Sequence, residues 1–282
     1  MPDKFKALWV SHSSIADFLK CPRLYYLRNV YKDPKTGHKI TIMSPSLALG
    51  QGVHEVIEYL SLLPQNERFQ TDVMKKFDEA WKKVEGKKGG FRTKDQESEF
   101  KERGRKMLEK IIKNPGPLKN KALKIKSIEG KSDLPWYYLD EEENIILSGK
   151  IDWVEYNEED DTISIIDFKT GINEESDDSL QLPIYTLLAK NLQKRPVKKI
   201  SYWYLDDNNP QDFVELEVPN EIESRNKVFE VAKRIKTGRL INHLKCPKGE
   251  SGCFACRDIE KVFNGQGEKV GESEYRQDIY IL

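Results

Sequence analysis

Between Leu123 and Ile166 the apolar residues recur close to every second position: Leu123, Ile125 and Ile128, then Ile145, Leu147 and Ile151, then Ile163, Ile165 and Ile166. Polar turns at 140–144 and 157–161 separate the groups. A period of two buries one face of a strand and wets the other. The middle of the chain is therefore expected to form a sheet built largely of consecutive antiparallel strands.

The flanks follow a helical period instead. Ser13 and Ser14, with Asp17 three residues on, make a capping-box-like start for a helix carrying Ile15, Phe18 and Leu19 that ends near Cys21-Pro22. A second helix is predicted over 47–62, where Val53, Ile57 and Leu60 form an apolar stripe and His54 and Glu58 stack one turn apart beside it. Residues 64–121 are charged and broken by Lys87-Lys88-Gly89-Gly90 and Pro115-Gly116-Pro117, which predicts a helical insertion bounded by turns. Downstream come a helix over 179–192, with Pro183 near enough its start to be tolerated, strands near 200–205 and 213–218, and a helix over 221–237. The expected fold class is α/β of the α+β kind, a mixed central sheet flanked by helices.

The 282 residues include 47 Lys plus Arg and 47 Asp plus Glu, so no global positive field announces a nucleic-acid binder, and any such contact must be local. The basic runs 101–113 and 119–131, and the cluster Lys194-Arg195 with Lys198-Lys199, read first as solvated faces, since Glu97, Glu99, Glu102 and Glu109 alternate with the first. The N-terminus lacks the apolar core of a leader and no stretch is apolar enough to span a bilayer, which points to the cytoplasm and to no membrane role. Thiols stay reduced there, so the four cysteines are expected to be metal ligands or core residues, not disulfides.

Chemistry concentrates in Ile165-Ile166-Asp167-Phe168-Lys169-Thr170-Gly171. On a strand Asp167 and Lys169 share one face, and the preceding strand ends its approach with Gly149-Lys150-Ile151-Asp152. A hairpin with a connection of about ten residues would set Asp152 beside Asp167. Two such carboxylates repel unless a cation lies between them, and hard oxygen ligands suit Mg2+ or Mn2+. With a lysine nearby, that set is suited to phosphodiester hydrolysis. Asp-x-Lys on a strand also reads as an ordinary salt pair. His54 also reads as a core histidine, Gln181 as a helix cap and Tyr185 as a packing residue.

Five segments in order break this tie: Cys21-Pro22-Arg23 with Tyr25-Tyr26-Leu27, Gly50-Gln51-Gly52-Val53-His54, Gly149-Lys150-Ile151-Asp152, Asp167-Phe168-Lys169-Thr170-Gly171, and Gln181-Leu182-Pro183-Ile184-Tyr185. With these the chain resembles the PD-(D/E)XK nucleases of the RecB type, a group that includes iron-sulfur nucleases associated with CRISPR adaptation and the AddB nuclease domain. The resemblance implies a restriction-endonuclease-like core in a single nuclease domain over 1–282, with the catalytic sheet and helices at 122–238 and cysteine-bearing segments at 11–30 and 243–262.

It implies that His54, Asp152, Asp167 and the carbonyl of Phe168 hold Mg2+ or Mn2+, that Lys169 serves the attacking water, and that Gln181 and Tyr185 face the substrate from one side of a helix. Glu129 stands where such nucleases often keep a further acid. Cys21, Cys246, Cys253 and Cys256 would hold a 4Fe-4S cluster, with structural Zn2+ as the alternative that spacing alone does not separate. The family's tail places its last cysteine after the C-x-x-C pair, whereas here Cys246 precedes Cys253-Phe-Ala-Cys256. The implied activity is metal-dependent hydrolysis of DNA, an exonuclease on single strands or ends, with a helicase or integrase as candidate partner. The rival reading is a nuclease-fold nucleic-acid-binding or assembly subunit of a recombination, repair or CRISPR complex that cuts little itself.

Overall fold

The computed structural model describes residues 3–130, 134–273 and 275–282; Lys131, the end of the second basic run, lies outside them. The first half runs β1 (Leu8–Val10), α1 (His12–Lys20), α2 (Pro22–Tyr25) with a π-helical turn over Tyr26–Val30, β2 (Lys39–Ile42), α3 (Pro45–Leu62), α4 (Val73–Trp81), α5 (Lys94–Lys113), β3 (Lys121–Ala122) and β4 (Trp136–Asp140). The second half runs β5 (Ile145–Ser148), β6 (Trp153–Asn157), β7 (Thr162–Lys169), α6 (Gln181–Leu192), β8 (Val197–Tyr204), β9 (Phe213–Leu216), α7 (Glu221–Leu240), α8 (Arg257–Phe263), β10 (Glu268–Glu272) and β11 (Gln277–Ile281). Among the described residues no helix is long and apolar enough to cross a membrane. The chain divides into two compact units, one of Met1–Ser44, Tyr138–Leu147 and Arg225–Leu282, the other of Pro45–Tyr137 and Ser148–Ser224.

The second unit is built on a five-stranded sheet in the order β3-β6-β7-β8-β9. Strands β6 and β7 form the expected antiparallel hairpin, with Trp153 opposite Ile166. β7 and β8 are parallel, Asp167 opposite Tyr202, because α6 carries the chain back between them. The strand expected over Leu123–Ile128 is cut short: after β3 a single further bond, Leu123 N–H to the Val154 carbonyl at 2.8 Å, continues the ladder. Its partner β6 begins only at Trp153, so this ladder goes no further, and the Ile128 N–H turns instead to the Trp136 carbonyl at 3.1 Å.

The stretch from Ile145 to Ile151 is likewise not one strand. β5 pairs in parallel with β1 in a separate three-stranded sheet, β1-β5-β4, and ends at Ser148. At Gly149 an added Cβ would lie 3.0 Å from the Leu188 side chain, a close approach that suits glycine.

In the same unit α3, α4 and α5 pack on apolar faces, and Gly104 lets α5 approach the buried Phe77, whose ring a Cβ there would meet at 2.5 Å. Arg68 is buried, with its planar guanidinium 4.9 Å from the centre of the Trp153 indole. It donates to the carbonyls of Leu60 (2.8 Å), Leu63 (3.2 Å) and Asn120 (2.8 Å), and also to that of Leu118. One side chain thus closes the C-terminal carbonyls of α3 and fixes the turn before β3.

In the first unit the cap of α1 lies earlier than predicted. Ser11 is the N-cap and Ser14 its reciprocal partner, Ser11 N–H to Ser14 Oγ at 2.9 Å and Ser14 N–H to Ser11 Oγ at 3.3 Å. Asp17 is instead buried and accepts from Arg28 at 2.9 Å and Asn29 at 3.1 Å. A third sheet, β10-β11-β2, joins a hairpin of the tail to β2 in parallel.

Asp278 on β11 is fully buried and accepts from Lys269 (2.8 Å), Thr36 (2.6 Å) and His38 (3.1 Å). Burial pushes its carboxyl up, but these donors more than offset that and hold it below the ordinary value. Its contribution to stability is therefore present above the unfolded carboxyl's 3.8 and is lost as pH falls through the lower folded value. Asp278→Asn should lower stability at neutral pH by about 1.5–3 kcal/mol. Urea titrations at descending pH should show the gap from wild type closing under acid; a gap independent of pH would refute the charge-assisted network.

Candidate active site and thiol cradle

The candidate catalytic residues come from α3, β6, β7 and α6 of the second unit. Extending the β6–β7 register one step past Trp153 sets Asp152 opposite Asp167, as the hairpin reading expects. The chain bends at Asp152, and its Oδ2 accepts the Phe168 N–H at 3.1 Å, so the side chain replaces a ladder bond. His54 on α3 brings Nδ1 to 3.4 Å from Asp152 Oδ2.

Asp167 and Lys169 share a face of β7, with Lys169 Nζ 3.0 Å from Asp167 Oδ2. Gln181, first residue of α6, ties the set together: its Nε2 donates to Asp167 Oδ1 at 2.7 Å and to the Tyr185 hydroxyl at 3.2 Å, and its Oε1 accepts from Lys169. Gln181 is thus not a plain cap; the i, i+4 spacing puts it and Tyr185 on the site.

Two residues that the sequence does not single out complete the surroundings of Lys169. Glu175, from the loop between β7 and α6, lies 2.7 Å from Nζ, and its own N–H is held by the Tyr204 hydroxyl at 3.0 Å. The Tyr202 ring lies 4.8 Å from Nζ. Periodicity gives no signal for a loop carboxylate; the aromatic alternation of β8 does mark Tyr202 and Tyr204 as one face. Glu129, by contrast, sits exposed in a turn at 128–129 beyond the shortened β3, so it does not join this site.

Electrostatics follow from burial. Asp167 is 2% exposed, and burial together with the neighbouring Asp152 carboxylate pushes it up to about 7. Asp152 is pushed up by burial as well, but His54 and the Phe168 N–H more than offset this and leave it below the ordinary range. His54 is pushed down by burial and raised further by Asp152, to a net increase. Burial and the two carboxylates drive the Tyr185 phenol well up, so it stays a neutral hydroxyl.

Asp167 Oδ2 is buried without a hydrogen bond: Lys169 Nζ is close enough for an ion pair but not aligned as a donor. Two carboxylates so placed share either a proton or a cation, and an orphaned buried oxygen of this kind fits a hard divalent ion. Among the described residues, the groups whose ligand atoms all lie within 4.8 Å of one another are the four cysteines and His38-Glu272-Asp278; the His54-Asp152-Asp167 set is more open.

In the first unit Cys21 stands between α1 and α2, Cys256 just before α8, and Cys246 and Cys253 in the loop leading to it. The four are free thiols gathered around one point, with Cys253 and Cys256 Sγ atoms 3.7 Å apart. Cys21 and Cys256 are buried against Leu24, Leu27, Ile40, Ile259 and Val262. Burial pushes Cys256 up to about 12, whereas at Cys253 a smaller burial effect is outweighed by backbone N–H groups from Cys256 and Ala255, which bring it to about 7. Arg23, of the Cys-Pro-Arg segment, braces this corner by pairing with Glu260 at 2.5 Å and lying over Tyr26 and Phe263 at 5.3 and 5.0 Å.

A family model described as the PD-(D/E)XK nuclease superfamily matches residues 9–257. Comparison with curated proteins gave no match. The mixed α/β architecture, with a hairpin that presents an aspartate pair and a lysine, is consistent with the restriction-endonuclease-like fold of that superfamily. With most of its length inside the matched region, the chain belongs to the PD-(D/E)XK nuclease superfamily.

Proposed function

We propose that this chain is a RecB-type DNA exonuclease that hydrolyses phosphodiester bonds at strand ends with Mg2+ or Mn2+. The observation that carries the reading is the buried Asp167 Oδ2, ion-paired with Lys169 but without a hydrogen bond, beside Asp152 and His54, a set of hard oxygen and nitrogen donors that a divalent cation would satisfy. His54, Asp152, Asp167 and the Phe168 carbonyl would hold the ion. When bound, a divalent cation polarises a phosphoryl oxygen and makes water a better nucleophile.

The chain's own residues do the rest. Lys169, held by Glu175 and Gln181, keeps an ammonium beside Asp167 to orient the attacking water and to meet charge that develops at phosphorus. Gln181 fixes the orientation of Asp167 and of the Tyr185 hydroxyl, which faces the same space as a neutral donor. The test is purified protein with Mn2+ on labelled single- and double-stranded DNA, free or blocked at the 5′ or 3′ end. Cleavage that needs an open end supports the exonuclease; equal cleavage of fully blocked strands refutes it.

We further propose that the four cysteines hold a structural metal group, since hydrolysis needs no electrons. The resemblance implies a 4Fe-4S cluster. The 3.7 Å sulfur spacing equals that of thiolates about a single tetrahedral ion with metal–sulfur bonds of about 2.3 Å; a cluster requires the thiols to spread. Anaerobic purification, metal and sulfide analysis and an absorption spectrum decide: brown protein with iron and sulfide is the cluster, colourless protein with zinc the single ion. Protein with neither, whose stability is untouched by Cys21→Ser, refutes a metal here.

A further inference from the structure

The carboxylate pair and Lys169 lie at β6 and β7, in the middle of the five-stranded sheet, and the two sides of that sheet differ sharply in charge. On the β3–β6 side a cleft opens from His54 and Asp152 along α3. It consists of two adjoining hollows of about 220 and 230 Å³ that share Glu58, Lys124, Lys150 and Asp152. Lys124, Lys126 and Lys150 stand exposed along it; Leu62 supplies exposed apolar surface, backed by the buried Ile125 and Trp153. On the β8–β9 side the hollow of about 480 Å³ beside Lys169 is lined by Glu174, Glu175, Asp177 and Glu217 around Tyr202 and Tyr204.

A polyanion is drawn to the first side and repelled from the second. Each hollow of the lysine cleft falls below the range of about 300–1,000 Å³ typical of ligand pockets, and the two together form a shallow track along α3. Lysines over an apolar wall are the combination that tracks a single strand, cations on phosphates and bases against the wall.

We propose that this cleft holds the retained stretch of a single DNA strand, with Lys124, Lys126 and Lys150 on consecutive phosphates, and so feeds the strand to Asp152 from the β3 side. The inference rests on the nuclease reading of the Asp152-Asp167-Lys169 site. It gives a role to part of the 119–131 basic run that the sequence reads as a solvated face. Lys124 and Lys126 are exposed on either side of the buried Ile125 in the segment that follows β3. Lys150 is pre-placed by Glu58, 2.5 Å from its Nζ in an exposed pair. Such a pair is worth only about 0.2–1 kcal/mol, so Lys150 exchanges readily to a phosphate, and Glu58 acts as its competitor.

The experiment is fluorescence anisotropy of a labelled oligothymidylate with full-length protein in EDTA, where binding is read without cleavage, over a range of salt. Lys124→Ala/Lys126→Ala should weaken binding about tenfold and flatten the log Kd against log salt slope by about 1.4, or about 0.7 for each phosphate left without its lysine. Glu58→Gln should tighten binding by about two- to fivefold, the equivalent of the exposed pair it removes. Lys106→Ala/Lys113→Ala on α5, a charge-matched control, should change nothing, and a duplex of equal length should respond weakly to all three.

The cleft is overturned if the Lys124/Lys126 variant binds within about twofold of wild type with the same slope, if the duplex is weakened as much as the strand, or if wild type has no affinity for the strand. Cleavage in Mn2+ by wild type with normal binding by the lysine variant removes the cleft and keeps the nuclease. Lysine-dependent binding without cleavage keeps the cleft and removes the nuclease.

Discussion

Asp152→Asn is expected to reduce Mn2+-dependent cleavage of a labelled single strand by about a thousandfold, and Lys169→Ala by about a hundred- to a thousandfold. On the proposed mechanism the two residues act on one transition state, so the double variant should be little worse than Asp152→Asn alone. Gln181→Ala, which leaves both groups but loosens Asp167 and Tyr185, should lose about tenfold.

Stability should move the other way. Burial, with a second carboxylate beside it, pushes Asp167 up to about 7, so Asp167→Asn removes a repulsion that the proposed metal site would require. Its Tm should equal or exceed that of wild type while cleavage is lost. Single-turnover rates together with thermal melts check both halves. An Asp152→Asn protein that cuts at the wild-type rate would remove these residues from the chemistry, and a large drop in Tm for Asp167→Asn would mean the pair is structural.

Arg68 is expected to be the most sensitive position for stability away from the site. Its truncation to Ala leaves the carbonyls of Leu60, Leu63, Leu118 and Asn120 without their donor and uncovers the Trp153 ring. Each buried polar group so orphaned costs about 1–3 kcal/mol; partial rehydration leaves an expected total of about 4 kcal/mol. Arg68→Lys keeps the charge but not the planar fork, and reaches only some of these carbonyls, so about half the loss should remain. Urea unfolding measures both. A loss under about 1 kcal/mol for Arg68→Ala would show that water replaces the guanidinium.

Arg68 also marks the limit of what the amino-acid order discloses. A charged residue in a charged helical insertion reads as a solvated one, and only the meeting of the α3 terminus with the turn before β3 reveals it as a buried tie. Asp167, Lys169, Gln181 and Tyr185 are legible because short periods, two on a strand and four on a helix, fix which side chains share a face. Asp152 is legible through the hairpin, a local pairing.

What escapes is non-local or aperiodic. Glu175 lies in a loop, and β2 and β11 pair across most of the chain length. The single run expected over 145–151 stops at Ser148, because β1, from near the N-terminus, pairs with Ile145, Ile146 and Leu147 in a sheet apart from the one that β6 joins. The reciprocal spacing of Ser11 and Ser14 is visible in the sequence, but hydroxyls crowd there, and Ser13 and Ser14 compete with Ser11 for the cap.

The first unit is assembled from three separated stretches, with residues 45–137 lying between the first and second. During synthesis the strand β1 has no β5 to pair with until more than a hundred further residues have emerged, and Cys21 waits longer still for Cys246, Cys253 and Cys256. Closing so long a loop is entropically slow. Metal capture by the four thiols, as proposed above, would then record synthesis through Cys256: a chain that stops before Cys246 can build the β6–β7 hairpin but holds one lone thiol. Loading of the thiol cradle would separate chains that reach Cys256 from shorter ones that already carry Asp152 and Asp167.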